Sequence, residues 1–161
     1  MKKLLTCLIA TAMLLSAAMS QASGEALFER KLAAAQNGDA EAQYDVGYRY
    51  EKGRGVDGDD ELALDWYKKS ADNGVAKAQY KVGCFYMKGT AIDEDPEQAK
   101  IWLQKSADQG YAPAQYQLGK LYAAPHGGRD YQMAVTWLQK AQDNGYEPAA
   151  HELNKVKRKL N

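Results

Sequence analysis

The feature that most constrains this chain is a motif that occurs three times at a nearly constant interval. It reads AEAQYDVGYRYEKG from residue 40, AKAQYKVGCFYMKG from residue 76 and APAQYQLGKLYAAP from residue 112. A second motif with a tryptophan follows each copy, at Trp66, Trp102 and Trp137. Self-similarity at a period of about 20–50 residues is typical of stacked supersecondary units. The chain is therefore expected to fold as a linear array in which each unit packs on its neighbours.

Each repeat contains two helical patterns, which we call helix A and helix B. At about 100° per residue, one arc of helix A collects apolar, small and amide residues. In the first repeat this arc contains Ala42, Gln43, Val46, Gly47 and Tyr50. Helix B keeps the i, i+3, i+4, i+7 spacing with Ala63, Trp66, Tyr67 and Ser70. Equivalent residues recur in the next two repeats, so the pattern predicts three helix hairpins.

Capping residues mark the ends of each helix B. Aspartates stand where these helices are expected to begin: Asp59, Asp95 and Asp130. Pro96 suits the first helical position, and Gln98 is a predicted capping-box residue. Glycines are predicted to end the helices at the C′ position: Gly74, Gly110 and Gly145.

A glycine lies inside every helix A, on the packed arc: Gly47, Gly83 and Gly119. A glycine within a helix costs about 1 kcal/mol relative to alanine. We expect close packing to offset this cost, because the missing side chain lets a neighbouring helix with its bulky tryptophan and tyrosine approach.

The N-terminus has the features of a secretory signal peptide. Lys2 and Lys3 precede an apolar run over residues 4–19, and Ser20-Gln21-Ala22 is a small-x-small cleavage site. The run is shorter than the roughly 20 residues that span a bilayer. We predict cleavage after Ala22, a periplasmic or secreted mature chain, and no stable membrane insertion after cleavage.

The repeat pattern becomes polar at both ends. Residues 27–38 align with helix B, but Arg30 and Lys31 replace the tryptophan and its neighbour. The last segment aligns with helix A, but Asn154 and Lys157 replace the glycine and a tyrosine. Terminal units of an array need a polar outer face because nothing stacks on them. The predicted organisation is a signal peptide (1–22), an N-terminal capping helix (23–38), three repeats (39–74, 75–110, 111–145) and a C-terminal capping helix (146–161).

The motifs AQY-x-[VL]-G-x-x-Y, A-x-x-W-[YL]-x-K-[SA] and [DQ]-[NQ]-G resemble the Sel-one-like repeat, a relative of the tetratricopeptide repeat, over residues 25 to about 158. The resemblance implies an all-α fold, a right-handed superhelical solenoid of antiparallel helix hairpins. It also implies a concave surface lined by the A helices that binds proteins or peptides. The third copy departs from the pattern at its A–B turn, within residues 124–128. The role of the irregular loop Pro125 to Arg129 is left open.

Charge and cysteine content exclude several classes of partner and scaffold. Cleavage removes two lysines and no acids, so the formal net charge changes from zero to −2. A nearly neutral chain gives no electrostatic basis for binding nucleic acid. Only Cys84 remains in the mature chain, so no internal disulfide can form.

The sequence lacks a pattern that predicts catalysis, a metal site or a cofactor. His126 and His151 have no acid or cysteine beside them at metal-ligand spacing. The acidic segment 57–61 lacks the glycine and the distal glutamate of an EF-hand loop. Ser70 and Ser106 are repeat residues on a packed face. We therefore predict no catalytic residue, no metal ligand and no cofactor.

Tyrosine is abundant, with 11 residues, which could form a stacking platform for glycans or single-stranded nucleic acid. Eight of them recur at repeat positions and are therefore predicted to pack: Tyr44, Tyr80, Tyr116, Tyr50, Tyr86, Tyr122, Tyr111 and Tyr146. The arc of helix A opposite the packed one is where the copies differ. Its predicted partner-binding residues are Asp45, Tyr48, Arg49, Lys81, Cys84, Phe85, Gln117, Lys120 and Leu121.

The leading interpretation is a non-enzymatic adaptor that binds a protein or peptide in the groove formed by the A helices. One alternative comes from the family resemblance, since cysteine-rich relatives bind or cleave β-lactams. Those relatives carry paired cysteines in each repeat, and this chain has none to pair. The other alternative is a module that binds glycan or peptidoglycan. The sequence does not identify the partner, the oligomeric state or the reactivity of Cys84.

Overall fold

A computed structural model describes residues 22–125 and 128–160 of the chain. The signal peptide prediction concerns residues that lie almost entirely outside this part. Eight helices follow one another in the described residues. They are α1 (22–36), α2 (Ala40–Lys52), α3 (Asp60–Asp72), α4 (Ala76–Lys88), α5 (Pro96–Asp108), α6 (Ala112–Ala123), α7 (Tyr131–Asp143) and α8 (Pro148–Lys157).

The helices pack in chain order, as the repeat predicts. The A helices α2, α4 and α6 each pair with the helix B that follows, which is α3, α5 and α7. Each helix B then packs on the next helix in the chain, and α8 covers the last hairpin. At the other end, Phe28 and Ala35 of α1 pack against Ala42 and Val46. The prediction of an all-α solenoid built from about three helix hairpins is confirmed.

Most of the predicted caps form. The side chains of Asp59 and Asp130 accept hydrogen bonds from backbone N–H groups of the first turn at 2.9 Å. Asp95 accepts two, from Glu97 and Gln98, at 3.0 and 2.9 Å. The capping-box role of Gln98 is wrong, because the Asp95 N–H donates instead to a carbonyl at the end of α4, at 3.0 Å. The C′ glycines have positive φ angles, as predicted: Gly74 (86°), Gly110 (82°) and Gly145 (81°).

The glycines inside the A helices lie against the B helix of the same hairpin. A Cβ atom built on Gly83 would lie 2.8 Å from Leu103 Cγ and 3.2 Å from the Ala99 carbonyl oxygen. Gly47 and Gly119 are equally tight. The predicted close approach is confirmed, but the tryptophan is not the contact. The residue that follows each tryptophan, a tyrosine or a leucine, packs onto the glycine.

Buried amide side chains tie successive units together. Gln79 Nε2 donates to the carbonyl of Ala71 in the preceding repeat at 3.2 Å, and Gln79 Oε1 accepts from Gln109 at 2.8 Å. The same pair of bonds recurs at the equivalent residues of the other repeats, Gln43 and Gln115. The repeated glutamine therefore satisfies backbone and side-chain groups that the stacking buries.

The repeated serines are part of the same packing. Ser70 and Ser106 are fully buried, and their hydroxyls donate to the carbonyls of Ala40 and Ala76 at 2.7 and 2.6 Å. These bonds link the end of α3 to the start of α2, and the end of α5 to the start of α4. The serines therefore have the packing role that the sequence predicts for them.

Candidate binding face of the A helices

The candidate site is the side of α2, α4 and α6 that carries the predicted partner-binding residues, which we call the A-helix face. The structure leaves most of these residues at the surface to some degree. Lys120 is exposed, and six are half-buried: Asp45, Tyr48, Arg49, Lys81, Cys84 and Gln117.

Phe85 and Leu121 are core residues, so their assignment to the open arc is wrong. Phe85 is 6% exposed, and its ring packs at 6.0 Å from that of Tyr67 in α3. Leu121 is 8% exposed and belongs to a buried cluster with Leu103 in α5. In both cases the helix B of the preceding repeat covers this edge of helix A. Each side chain then forms part of the floor of a surface cavity.

Two cavities of about 290 Å³ lie side by side on this face. The first lies between α2 and α4, and the second lies one repeat further, between α4 and α6. Their linings occupy equivalent repeat positions. Glu51, Asp60, Cys84, Phe85 and Lys88 in the first cavity correspond to Met87, Pro96, Lys120, Leu121 and Ala124 in the second. The repeat therefore builds the same cavity twice with different side chains.

The first cavity is organised by the carboxylate of Glu51 at the end of α2. The Tyr67 hydroxyl donates to Glu51 Oε2 at 2.6 Å, and Lys81 Nζ donates to the same oxygen at 2.8 Å. Lys52 Nζ lies 2.8 Å from Glu51 Oε1. The network joins a helix A, its helix B and the next helix A.

Electrostatics keep this carboxylate ionised. Burial raises the pKa of Glu51, but hydrogen bonds from Lys52, Lys81 and Tyr67 outweigh burial and lower that pKa to about 2. Burial, together with the Glu51 carboxylate, raises the pKa of Tyr67 far above its ordinary value. The pair is therefore a neutral phenol that donates to a carboxylate, and it carries one negative charge at neutral pH.

Cys84 lines the first cavity as a protonated thiol. Burial raises the pKa of Cys84, and a hydrogen bond with the Tyr80 hydroxyl offsets that rise only in part. The thiolate is the nucleophilic form of cysteine. Cys84 is a free cysteine, and among the described residues it has no cysteine to pair with. The paired cysteines of β-lactam-binding relatives therefore have no counterpart in this part of the chain.

Several tyrosines of the A helices pack against other tyrosines, as the repeat positions predict. The ring centroids of Tyr80 and Tyr111 are 5.5 Å apart, and those of Tyr116 and Tyr146 are 5.1 Å apart. Burial is the main reason that the pKa of Tyr80 and of Tyr111 is raised. These rings stabilise the junction between successive repeats, where they contact one another.

Charged residues of the A-helix face in the first repeat form contacts with other side chains and backbone groups of the same chain. Asp45 Oδ2 lies 2.7 Å from Lys31 Nζ in the capping helix α1. The Arg54 guanidinium lies over the ring of Tyr48 at 5.2 Å, and Arg49 donates to the Arg54 carbonyl at 3.3 Å. The guanidinium of Arg54 therefore covers one side of the Tyr48 ring.

Sequence reasoning missed Glu51, Lys52, Met87 and Lys88, which line the two cavities. A signal for Glu51 was available in the repeat itself. Repeats two and three carry Met87 and Ala123 at the position of Glu51, and they carry leucines at the position of Tyr67. A carboxylate and a phenol that replace apolar residues in the same repeat indicate a hydrogen-bonded pair.

The described residues contain neither a candidate metal site nor a candidate membrane-spanning helix. No group of three or more histidine, cysteine or acidic side chains in residues 22–125 and 128–160 is placed to hold a metal ion. His151 is exposed on α8, whereas His126 lies outside the described residues. Of the helices that the structure describes, none is both long and apolar enough to cross a membrane.

Comparison with known proteins gives a family. The model of the Sel1 repeat matches residues 40–75, 76–111 and 112–146. The chain belongs to the Sel1 repeat family. Sel1 repeat solenoids are generally scaffolds for protein interactions and are typically non-enzymatic. No curated protein sequence matches this Sel1 repeat chain significantly.

Solved structures of similar proteins share the fold. The protective antigen c5321 of uropathogenic Escherichia coli, which has an SLR fold, aligns with 85% of this chain at 27% identity and a TM-score of 0.81. A Sel1 repeat protein from Oxalobacter formigenes aligns with 72% at 35% identity and a TM-score of 0.67. The immunity protein Pa5087 from Pseudomonas aeruginosa aligns with 82% at 28% identity and a TM-score of 0.58. The chain spans 30%, 47% and 50% of these three proteins, respectively.

Proposed function

We propose that this Sel1 repeat protein is a non-enzymatic adaptor that binds a segment of a partner protein along its A-helix face. The observation that carries the proposal is the pair of equivalent cavities, each of about 290 Å³, on successive repeats. An extended segment can place one side chain in each cavity while its backbone follows the face. Sites for small molecules are typically single concave pockets of about 300–1,000 Å³ that enclose most of the ligand.

The exposed and half-buried residues of this face supply the contacts. Tyr48 offers an aromatic ring, and Lys88 and Lys120 are exposed cations on α4 and α6. Aromatic side chains and desolvated charges dominate the energetics of many interfaces. Lys88 and Lys120 lie outside the buried core, whereas Tyr48 is half-buried and packs against its edge. The two lysines can therefore contribute to binding without being required for folding.

Replacing Tyr48, Lys88 and Lys120 together with alanine is expected to abolish partner capture. Interface anchors can each contribute about 2 kcal/mol or more to binding, whereas surface changes usually shift stability by no more than about 0.5 kcal/mol each. The measurement is crosslinking in cells with a photoreactive residue at position 84, followed by mass spectrometry of the captured protein. Circular dichroism checks that helical content and melting temperature are retained.

The matched control uses alanine at three equivalent exposed positions on the B helices: Asp65, Ile101 and Thr136. This variant changes the same number of side chains on the other side of the array and is expected to capture the partner normally. Equal capture by the two variants would place the interface elsewhere and contradict the proposal.

We further propose that the protein acts in the periplasm or outside the cell. Support comes from the sequence of residues 1–22, with its basic start, apolar run and small-residue cleavage site. The exported protein is expected to begin at Ser23. Intact-mass measurement of protein from the periplasmic fraction or the medium tests this. A mass that still includes residues 1–22, or recovery only from the cytoplasm, would contradict it.

A further inference from the structure

We infer that the bound segment carries an acidic side chain for the first cavity and a bulky aliphatic side chain for the second, about three residues apart. This inference rests on the proposed function, because it names the chemistry of the segment that the A-helix face would bind.

The first cavity has more cations than its acids can neutralise. Three lysines line it, Lys52, Lys81 and Lys88, against two acids, Glu51 and Asp60. Glu51 is already shared by Lys52 and Lys81, at 2.8 Å from each. Within residues 22–125 and 128–160, no carboxylate forms an ion pair with Lys88. An acidic side chain would complete this set of charges, while a basic one would be repelled.

The second cavity presents the same frame with the charged groups replaced. Met87 stands in the position of Glu51, Pro96 in that of Asp60, and Ala124 in that of Lys88. Leu121 forms the floor. Charged side chains remain only at Lys120, which is exposed, and at Glu94, which is exposed in the loop before α5. An aliphatic side chain fits this lining, because it buries apolar surface without leaving a polar group unpaired.

The distance between the cavities sets the spacing in the segment. Lys81 on α4 reaches Glu51 on α2 through the ends of two long side chains, and helices that touch in this way lie about one helix diameter, about 10–12 Å, apart. A polyproline-II segment rises about 3.1 Å per residue with three residues per turn. Residues i and i+3 of such a segment therefore share a face and lie about 9 Å apart. One repeat of the array thus corresponds to three residues of the bound segment.

Selection from a phage-displayed library of random peptides on the immobilised mature protein tests the inference. The enriched peptides are expected to share an aspartate or glutamate and a leucine, isoleucine or methionine, three positions apart. Selection on a Lys88→Glu variant is expected to lose the acidic preference. Selection on a Met87→Gln variant is expected to lose the aliphatic preference and to keep the acid.

The matched control is Lys157→Glu, which makes the same charge change at the end of α8 and is expected to select the wild-type motif. In fluorescence anisotropy, changing the acid of the enriched peptide to its amide is expected to weaken binding to the wild-type protein about tenfold. The same change is expected to have little effect on binding to Lys88→Ala.

Three results would overturn the inference: no enriched peptide, enriched peptides without an acid, or an acidic preference that survives in Lys88→Glu. The outcome for the proposed function is read separately, from crosslinking of the natural partner. If the alanine variant of Tyr48, Lys88 and Lys120 loses that partner while the library yields no acidic motif, the A-helix face still binds the partner and only the assigned chemistry fails.

Discussion

Replacing Gly83 with valine is expected to lower the free energy of unfolding by about 3 kcal/mol, at the upper end of the usual cost of overpacking a core. A Cβ atom at this position would already lie 2.8 Å from Leu103 Cγ and 3.2 Å from the Ala99 carbonyl oxygen. Valine adds two methyl groups to that crowded contact. The hairpin of α4 and α5 must open to accept them, which separates Leu103 from the core. Urea denaturation of the mature protein measures the loss.

The control for this substitution is Asp65→Val, which places the same side chain at an exposed position in the middle of α3. It isolates the intrinsic cost of valine in a helix, which is at most about 0.7 kcal/mol relative to the best helix former. An unchanged or higher urea midpoint for Gly83→Val would show that α4 and α5 do not approach as closely as the structure places them.

Replacing Glu51 with alanine is expected to destabilise the protein by about 2–3 kcal/mol, because it leaves the buried Tyr67 hydroxyl without an acceptor and removes a partner from Lys81. Tyr67 is fully buried, and the side chains of Glu51 and Lys81 are 16% and 21% exposed. The comparison is Glu41→Ala, which breaks the 2.6 Å ion pair with Lys77. The Glu41 side chain is 65% exposed, so its loss is expected to cost less than about 1 kcal/mol.

The second repeat suggests how to restore the lost stability. It carries Met87 where the first repeat has Glu51, and Leu103 where the first has Tyr67. The double variant Glu51→Met, Tyr67→Leu is therefore expected to be more stable than Glu51→Ala, because it removes both members of the buried pair together. If the double variant is no more stable than Glu51→Ala, the hydrogen bond to Tyr67 is not the source of the loss.

The low pKa of Glu51 also gives the stability a defined dependence on pH. Its folded-state pKa is about 2, below the usual 4.5, so the contribution to stability is complete above about pH 4.5 and is lost as the pH falls toward 2. The wild-type protein is expected to lose stability more steeply than Glu51→Gln in this range. Parallel acid-unfolding curves for the two proteins would contradict the network.

Much of the fold could be predicted from the sequence because the repeat supplies its own register. Three aligned copies show which positions are shared, and shared positions are those that pack between units, such as Gln79, or within each hairpin, such as Gly83. The same comparison locates the aspartate caps and the C′ glycines. The capping-box prediction for Gln98 fails because the N–H group that it would satisfy has another acceptor, which only the packing of α4 against the following loop reveals.

The candidate site was less predictable, for two physical reasons. A helical projection gives the direction of a side chain but not how far the neighbouring hairpin extends over it. It therefore puts Phe85 and Leu121 on the open arc, although the preceding helix B covers them. Glu51 was missed because a carboxylate on a helix is normally solvated. Its partner Tyr67 lies 16 residues further along the chain, beyond the reach of any local pattern.

Because the two cavities are equivalent, a protein of this kind can evolve to bind a different target by changing only a few side chains. The glutamines that hold successive units together and the glycines that hold each hairpin together are repeated, whereas the cavity linings at Glu51, Lys88 and their counterparts differ. Lys88 takes no part in this packing, so recognition at its position can evolve independently of stacking, whereas Glu51 serves both through its bonds to Tyr67 and Lys81. Exchanging the two linings together with Tyr67 and Lys81 would move this network intact to the next repeat, and the resulting protein would bind a target with the two key side chains in the opposite order.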